Sequence, residues 1–295
     1  MNGQKIALLT DSCADIPKAQ QQKYDIFVVP LKLRFSDGEY ADGVDITPAE
    51  VYRRLPSEIP KTTLPGGDAV ERAFEQIRQA GYTRALAIHL SGGLSGTSNL
   101  VRVIGQQQVG LEVAVFDTLS GSLGTGATVL QAARWIEQGW SWEELQRAIP
   151  PLMRNTHVFF CVNTLEYLRR GGRIGKISAV TGTLLQIKPI ISFAQDGQLV
   201  NVAKIRGRKA AMQKMVQMAS AKVPPDVPFN LAVAHGDAPE ELAEIRTIAQ
   251  QALPGFAHFM EGEIDCTLGA YVGPKLLGVG VQLLGEALAA AGREN

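Results

Sequence analysis

Strand-like and helix-like segments alternate through the first half of the sequence, and this alternation most restricts the fold. Short runs rich in Val, Ile and Leu predict strands at residues 5–10, 26–33, 85–90 and 112–117. Helix starts lie between or after these runs: a hydroxyl or Asp residue stands three positions before an acidic residue at 47–50, 68–71 and 141–144. Strands joined through helices favour a mostly parallel sheet with helices on its faces. The first half therefore predicts an α/β domain.

The pattern changes from about His157 onwards. Strands are predicted at 158–162, 189–194, 198–205, 230–235 and 258–265, and helices at 208–219 and 240–252. Asp196-Gly197 lies between two of the strands and is typical of a hairpin turn. These features predict an α+β second domain, with a boundary near residues 150–160 at Pro150-Pro151.

Charge and composition exclude several classes of function. The 29 basic and 29 acidic residues balance and are scattered, which argues against broad attraction to nucleic acid or to an anionic membrane surface. No apolar run approaches the roughly 20 residues that span a bilayer, and we expect no cleaved leader at the start. Cys13, Cys161 and Cys266 are few and far apart, so we expect reduced thiols and a cytoplasmic location.

Three predicted loops share a composition rich in Gly, Ser and Thr. They are Asp11-Ser12 after the first strand, SGGLSGTS at 91–98, and DTLSGSLGTG at 117–126. Ligands of parallel sheets collect at the carboxyl ends of the strands, where such loops lead into helices. Glycine lets backbone N–H groups approach a ligand, and the helix amino end favours an anion. The three loops together predict a carboxylate or phosphate site, although each alone is also typical of helix caps and turns.

Known catalytic motifs are incomplete in this sequence. The run 171–177 resembles a phosphate-binding loop, but Ile177 stands where a hydroxyl is needed and a helix-like segment precedes it. Neither Ser91 nor Ser95 lies in a G-x-S-x-G motif, and no histidine pair or C-x-x-C has metal-ligand spacing. We therefore predict no catalytic residue and no metal site. A serine hydrolase that uses Ser91 or Ser95 stays as a less favoured alternative.

Positive charge is concentrated in the predicted second domain. One group follows a predicted helix end, and another lies in the run KIRGRKAAMQK; the members are Arg169, Arg170, Arg173, Lys176, Lys204, Arg206, Arg208 and Lys209. A turn of this kind that faces the loops of the first domain would bring a cation to a bound anion. Such residues are also common as partners of helix dipoles or as solvated surface.

Seven blocks of the sequence occur in the order found in the DegV family. They are TDSCADIP, KTTLPG, SGGLSGTS, DTLSGSLGTG, LEYLRRGGRIG, GTLLQIKPII and DGQLVNVAKIRGRKAA. The chain resembles that family over nearly its whole length. The resemblance implies an α/β fold with an N-terminal Rossmann-like domain and mostly parallel sheet at 1–157. A C-terminal α+β domain at 158–295 would close over the ligand.

The resemblance also implies a function. Members of the family bury a long-chain fatty acid between the two domains and serve as the acyl-carrying subunit of bacterial fatty acid kinase. A separate ATP-binding kinase subunit phosphorylates the carboxyl group. The chain is therefore expected to be a binding subunit and not an enzyme, with a long-chain fatty acid as its ligand and no other cofactor. No nucleic acid partner is expected, and transient contact with a membrane for lipid exchange is compatible with this role.

The resemblance assigns the head-group site residue by residue. Thr62 and Thr63 would bind the carboxylate, Arg173 would meet an acyl phosphate, and a position usually held by histidine is Tyr271. The implied ligand-binding residues are Thr62, Thr63, Ser91, Ser95, Gly96, Arg173 and Tyr271. Leu64 stands where the family has glutamine, and Gly92 where it has serine. These departures keep open a sensor or adaptor that binds a small acid or lipid without phosphorylation.

Overall fold

The computed structural model of the chain describes residues 2–177 and 187–293. Its strands are β1 (Ile6–Asp11), β2 (Ile26–Val29), β3 (Lys32–Phe35), β4 (Gly38–Ala41), β5 (Lys61–Thr63), β6 (Arg84–His89), β7 (Glu112–Asp117), β8 (Thr156–Cys161), β9 (Ile187–Phe193), β10 (Leu199–Arg206), β11 (Phe229–Gly236), β12 (His258–Glu263) and β13 (Leu276–Leu283). Its helices are α1 (Lys18–Lys23), α2 (Pro48–Arg54), α3 (Gly67–Gln79), α4 (Thr97–Gly105), α5 (Leu123–Glu137), α6 (Trp142–Arg154), α7 (Glu166–Arg170), α8 (Arg208–Ser220), α9 (Pro239–Ala252), α10 (Cys266–Val272) and α11 (Gly285–Ala291). Residues 182–186 of the GTLLQIKPII block lie outside the described residues.

The first sheet has the strand order β2-β1-β6-β7, and all of its pairs are parallel. This confirms the Rossmann-like α/β prediction for the first half. Thr47 accepts the N–H of Glu50 at the start of α2, and Ser141 with Glu144 forms a capping box on α6. The predicted cap at Asp68 is wrong, because α3 begins at Gly67 and Asp68 lies in its first turn.

The strand predicted at 26–33 is divided between two sheets. β2 ends before Pro30, which has no N–H to continue the ladder. β3 begins at Lys32 and forms a separate antiparallel sheet in the order β4-β3-β5. In this small sheet Leu33 of β3 is paired with Thr62 of β5, which fixes the position of a predicted ligand residue.

The second sheet has the order β10-β9-β8-β13-β11-β12, in which β11 and β12 are parallel and the other pairs are antiparallel. The β9–β10 pairing confirms the predicted Asp196-Gly197 hairpin. One detail of the prediction is wrong: β12 ends at Glu263, because Asp265 caps α10. Pro150 and Pro151, near which we expected the domain boundary, lie inside α6.

Helix α5 lies between the two larger sheets. It packs against β1 and β6 on one side and against β8, β11 and β13 on the other. From Leu123 to Ile136 all of its residues except Arg134 are buried. The largest core cluster accordingly joins Leu86 of the first sheet, Trp135 of α5 and Val158 of the second sheet. This largest cluster therefore connects the two halves of the chain.

Two further predictions can be compared with the structure. Cys13, Cys161 and Cys266 are all buried and form no disulfide, as expected. Within residues 2–177 and 187–293, none of the helices combines the length and the hydropathy that crossing a bilayer would need.

Candidate functional site

An interior cavity of about 350 Å³ lies between the carboxyl ends of the first sheet and one face of the second. Most of its wall is apolar, including Leu90, Leu94 and Leu268. Six of the seven predicted ligand residues line it: Thr62, Thr63, Ser95, Gly96, Arg173 and Tyr271. We call these six residues the cavity mouth. The structure thus brings together residues that are far apart in the sequence.

The opposite part of the wall is built from small residues of the second sheet. Along β11 and β13, large side chains such as Val233 and Val279 face α8 and α9. The alternate positions face the cavity, and there Ala234 is paired with Gly278, which is paired with Phe160 of β8. Because successive side chains of a strand point to opposite faces, this alternation in size leaves space on one face alone. We call Phe160, Ala234, Gly278, Val158 and Leu123 the cavity floor.

Tyr271 joins the residues of the mouth. Its hydroxyl is hydrogen-bonded to the hydroxyl of Thr62. The guanidinium carbon of Arg173 lies 5.0 Å from the centre of the Tyr271 ring, within the range of a cation–π contact. Arg173 also donates from Nη1 to the carbonyl oxygen of Gly171 over 2.9 Å, which holds the guanidinium beside the ring.

The loop before α4 contributes the remaining polar groups. Ser95 Oγ and Thr97 Oγ1 are hydrogen-bonded at 2.9 Å, and Gly96 is the N-cap residue of α4. The amino end of a helix carries unpaired N–H groups and a partial positive charge, which favour an anion. Hydroxyls, a helix amino end and a guanidinium group at one end of an apolar cavity can therefore hold a carboxylate.

Ser91 is placed differently from the other predicted ligand residues. It is fully buried, donates its hydroxyl to the carbonyl oxygen of Gly197 over 2.8 Å, and accepts the N–H of Gly93 over 3.0 Å. A Cβ on Gly93 would lie 2.6 Å from the carbonyl carbon of Gly197, so only glycine fits there. Ser91 thus connects the SGGLSGTS loop to the β9–β10 turn and does not line the cavity.

The first of the three predicted loops also stays away from the cavity. Asp11 accepts the N–H groups of Cys13 and Leu90 at 3.1 and 3.0 Å, and Ser12 donates to Asp42 over 3.0 Å. Asp11-Ser12 therefore lies at the same strand ends as the SGGLSGTS loop, as predicted, but it does not line the cavity. Among the predicted basic residues, Arg173 reaches the cavity, whereas Arg170 pairs with Glu166 and Arg208 with Glu241.

Neither Ser91 nor Ser95, the two candidate nucleophiles, has its hydroxyl bonded to a histidine or a carboxylate in the described part of the chain. Ser95 is bonded to Thr97, and the buried His89 pairs through Nδ1 with Asp11 at 2.9 Å. His235 Nδ1 accepts the N–H of Ala238. A nucleophilic serine needs a base within hydrogen-bond reach, so this geometry does not favour the hydrolase alternative.

A buried acidic group behind the cavity was missed by the sequence analysis. Potential ligand atoms of Cys13, Asp42 and Asp265 lie within 4.8 Å of one another, a set that could hold a cation. Asp42, however, already accepts the N–H groups of Cys266 and Thr267 at 3.0 and 3.1 Å. Asp265 accepts the N–H of Leu268 over 2.8 Å. These carboxylates therefore anchor the amino end of α10, the helix that carries Tyr271.

Protonation reduces the negative charge of this acidic group, to which Asp15 also belongs through its bond to Asp265. Burial raises the pKa of Asp15 to about 7, and Asp15 accepts the N–H of Asp265 over 2.8 Å. Burial, with repulsion from Asp42 and Asp15, raises the pKa of Asp265 well above its ordinary value. Burial likewise raises the pKa of the Cys13 thiol, which stays protonated near neutral pH.

The fold and the cavity define a two-domain α/β protein whose apolar interior space ends at a polar, cationic mouth. Residues 5–283 match the sequence profile described as uncharacterised proteins of the DegV family. The chain belongs to the DegV family.

Relatives of known sequence and structure agree with this assignment. A DegV domain-containing protein of Clostridium acetobutylicum is 35% identical over 276 residues, which cover 94% of this chain and 98% of that protein. A solved structure of a fatty acid-binding DegV family protein from Thermus thermophilus has a TM-score of 0.87 and 29% identity, with 96% of this chain and 100% of that chain covered. A stearic acid-binding protein from Eubacterium ventriosum has a TM-score of 0.86 and 27% identity, with the same coverage.

Proposed function

We propose that the protein binds a long-chain fatty acid, with the acyl chain on the cavity floor and the carboxylate at the cavity mouth. The observation that carries this proposal is the division of one cavity into an apolar part and a cluster of hydroxyls with Arg173. The cavity volume of about 350 Å³ lies within the range of small-molecule sites, about 300–1,000 Å³. The fatty acids bound by the Thermus and Eubacterium relatives support the same ligand class.

The two parts of the cavity would contribute differently to binding. Each methylene removed from water contributes about 0.8 kcal/mol, so the acyl chain supplies most of the affinity. A carboxylate buried without partners would cost several kcal/mol. Thr62, Ser95 and Arg173 offer hydrogen bonds or charge that offset this cost, and they fix the orientation of the acid.

We further propose that the chain carries the acid for a separate ATP-binding kinase subunit in the cytoplasm. Thr63 and Leu64 are exposed at the mouth, so a partner can approach the carboxyl group from outside. The chain would position the carboxylate, and the partner would supply ATP and the phosphoryl-transfer residues. Tyr271 stands where the resemblance to the family implies histidine. This difference favours a second candidate function, a sensor that binds the acid without phosphorylation.

Extraction of the purified protein under denaturing conditions, followed by mass spectrometry, tests the binding proposal. We expect one long-chain acid per protein molecule; a polar metabolite, or no organic acid, would contradict the proposal. A test for acyl phosphate formation, with ATP and a separate fatty acid kinase subunit added, then distinguishes a carrier from a sensor. Binding without phosphorylation supports the sensor, and ester hydrolysis abolished by Ser95→Ala would support a hydrolase.

A further inference from the structure

A second, much smaller cavity adjoins the first one along the second sheet. Its volume is about 10 Å³, and Leu123 and Val158 line both cavities. The inner face of β8, β13 and β11 can be described in three rows of paired residues. The first row, Phe160–Gly278–Ala234, lines the large cavity, and the second row, Val158–Gly280–Ala232, lines the small one.

The third row of this face is polar. It consists of Thr156, Gln282 and Asn230, which also line the small cavity. Asn230 donates to Gln131 of α5 and to Gln282 over 2.8 and 3.0 Å, and Gln282 donates to Thr156 over 3.0 Å. Methylene groups offer no hydrogen bonds to the amides and the hydroxyl of this row, so the apolar space ends at the third row.

The Leu123 side chain lies between the first row and the second row. A Cβ added to Gly278 would lie 3.6 Å from Leu123 Cδ1, and one added to Gly280 would lie 3.7 Å from Leu123 Cβ. Rows on one face of a strand are about 7 Å apart. The Leu123 side chain therefore fills the space through which a ligand in the first row would extend into the second.

We propose that Leu123, together with Val158, sets the maximum length of the acyl chain that this protein binds. The inference rests on the proposed fatty acid function and adds the determinant of chain length. The second row, with glycine and alanine in its two inner positions, is an extension of the cavity that Leu123 keeps closed. Two further methylenes buried there would raise affinity about tenfold.

The test uses the delipidated full chain and a competition among palmitic, stearic, arachidic and behenic acids. Leu123→Ala should shift the preference towards the longer acids, by about tenfold for each two methylenes accommodated. Leu123→Ala combined with Gly280→Ala should cancel the shift, because the new methyl group takes up space in the second row, beside Val158. Gly278→Ala alone should shift the preference towards shorter acids, and its methyl group makes only ordinary van der Waals contacts.

Leu145→Ala is the matched control, because Leu145 of α6 is fully buried in the same core and lines neither cavity. It should lower stability and leave chain-length preference unchanged. If Leu123→Ala does not fold, the same competition among the four acids is measured with Val158→Ala and Gly278→Ala. Unchanged preference in these floor variants overturns the inference while the proposed function stands. Failure of the parent protein to bind any of the four acids overturns the proposed function itself.

Discussion

The mouth and the floor of the cavity are constructed in opposite ways. The mouth takes its polar residues from four separated segments: β5, the loop before α4, the turn after α7, and α10. The floor comes mainly from adjacent strands whose side chains alternate in size. Hydrogen bonds and charge hold the first region, whereas close packing holds the second. We therefore expect the mouth to respond to single polar substitutions, the acidic group behind α10 to respond to pH, and the floor to respond to changes in volume.

The largest expected effect is on the pH dependence of stability. Folding raises the pKa of Asp15 from 3.8 to about 7, so the native state retains a proton that the unfolded chain releases. Its contribution to the free energy of unfolding is fully present below about pH 4 and lost as pH rises to about 7, by as much as ~4 kcal/mol. Asp15→Asn should remove this dependence, as measured by urea unfolding at several pH values.

The floor supplies the control for this experiment. Gly278→Ala changes packing without changing charge, so it should shift the free energy of unfolding by the same amount at every pH. If Asp15→Asn and the parent protein lose stability in parallel between pH 4 and 7, Asp15 is not the residue that retains the proton. The expected difference in pH response between Asp15 and the cavity floor would then be absent.

The next effect concerns Arg173. Arg173→Met keeps much of the apolar stem but removes the cation beside the carboxylate, and we expect fatty acid affinity to fall by about 3 kcal/mol. Titration of the delipidated protein with a fluorescent long-chain acid measures it. Arg170→Met is the matched control, since Arg170 is exposed and pairs with Glu166. An equal loss in both variants would indicate general electrostatic attraction and not a contact at the mouth.

Thr62 should give a smaller effect. Thr62→Val retains the shape of the side chain and removes a hydroxyl that would bind the carboxylate, which should weaken binding by about 1–3 kcal/mol. The same titration is suitable, with circular dichroism to verify the fold. Thr247→Val is the control, because Thr247 of α9 is exposed and does not line the cavity. Unchanged affinity in Thr62→Val would remove Thr62 from the head-group site.

The smallest expected effect is at Tyr271. Tyr271→Phe keeps the ring beside Arg173 but removes the hydroxyl that bonds to Thr62, so binding should weaken by about 1 kcal/mol. Tyr271→His adds a ring that can be protonated beside the anion, and we expect stronger binding and more acyl phosphate with a kinase subunit. If both variants match the parent protein in both assays, Tyr271 only packs against its neighbours and is not part of the head-group site.

The two regions also differ in how far the sequence predicted them. Runs of Val, Ile and Leu, the cap at Ser141 and the Asp196-Gly197 turn act locally, and each predicted its element. β13 was missed, because two glycines reduce the strand propensity of LLGVGVQL. The alternation of Leu277 and Val279 with glycine in β13 could nevertheless have predicted a strand with unfilled space on one of its faces.

The mouth could not be derived from local patterns. Thr62 and Tyr271 meet only because β3 leaves the first sheet after Pro30 and pairs with β5. The acidic group behind α10 likewise joins Asp15, Asp42 and Asp265 from three distant segments. Resemblance to a family supplied the head-group residues, but it did not anticipate that Ser91 would instead bond to the β9–β10 turn. Long-range pairing of this kind depends on the whole fold.

Helix α5 has a consequence for how such a molecule can change over evolutionary time. Both large sheets pack against it, so it belongs to neither half of the chain alone. A substitution on one side of α5 shifts the surface that the other side offers, and the two halves must therefore accumulate compatible changes. We expect exchange of either half with that of a distant relative to disturb the packing on α5, because the two surfaces would no longer match. The two halves are therefore coupled through one shared helix.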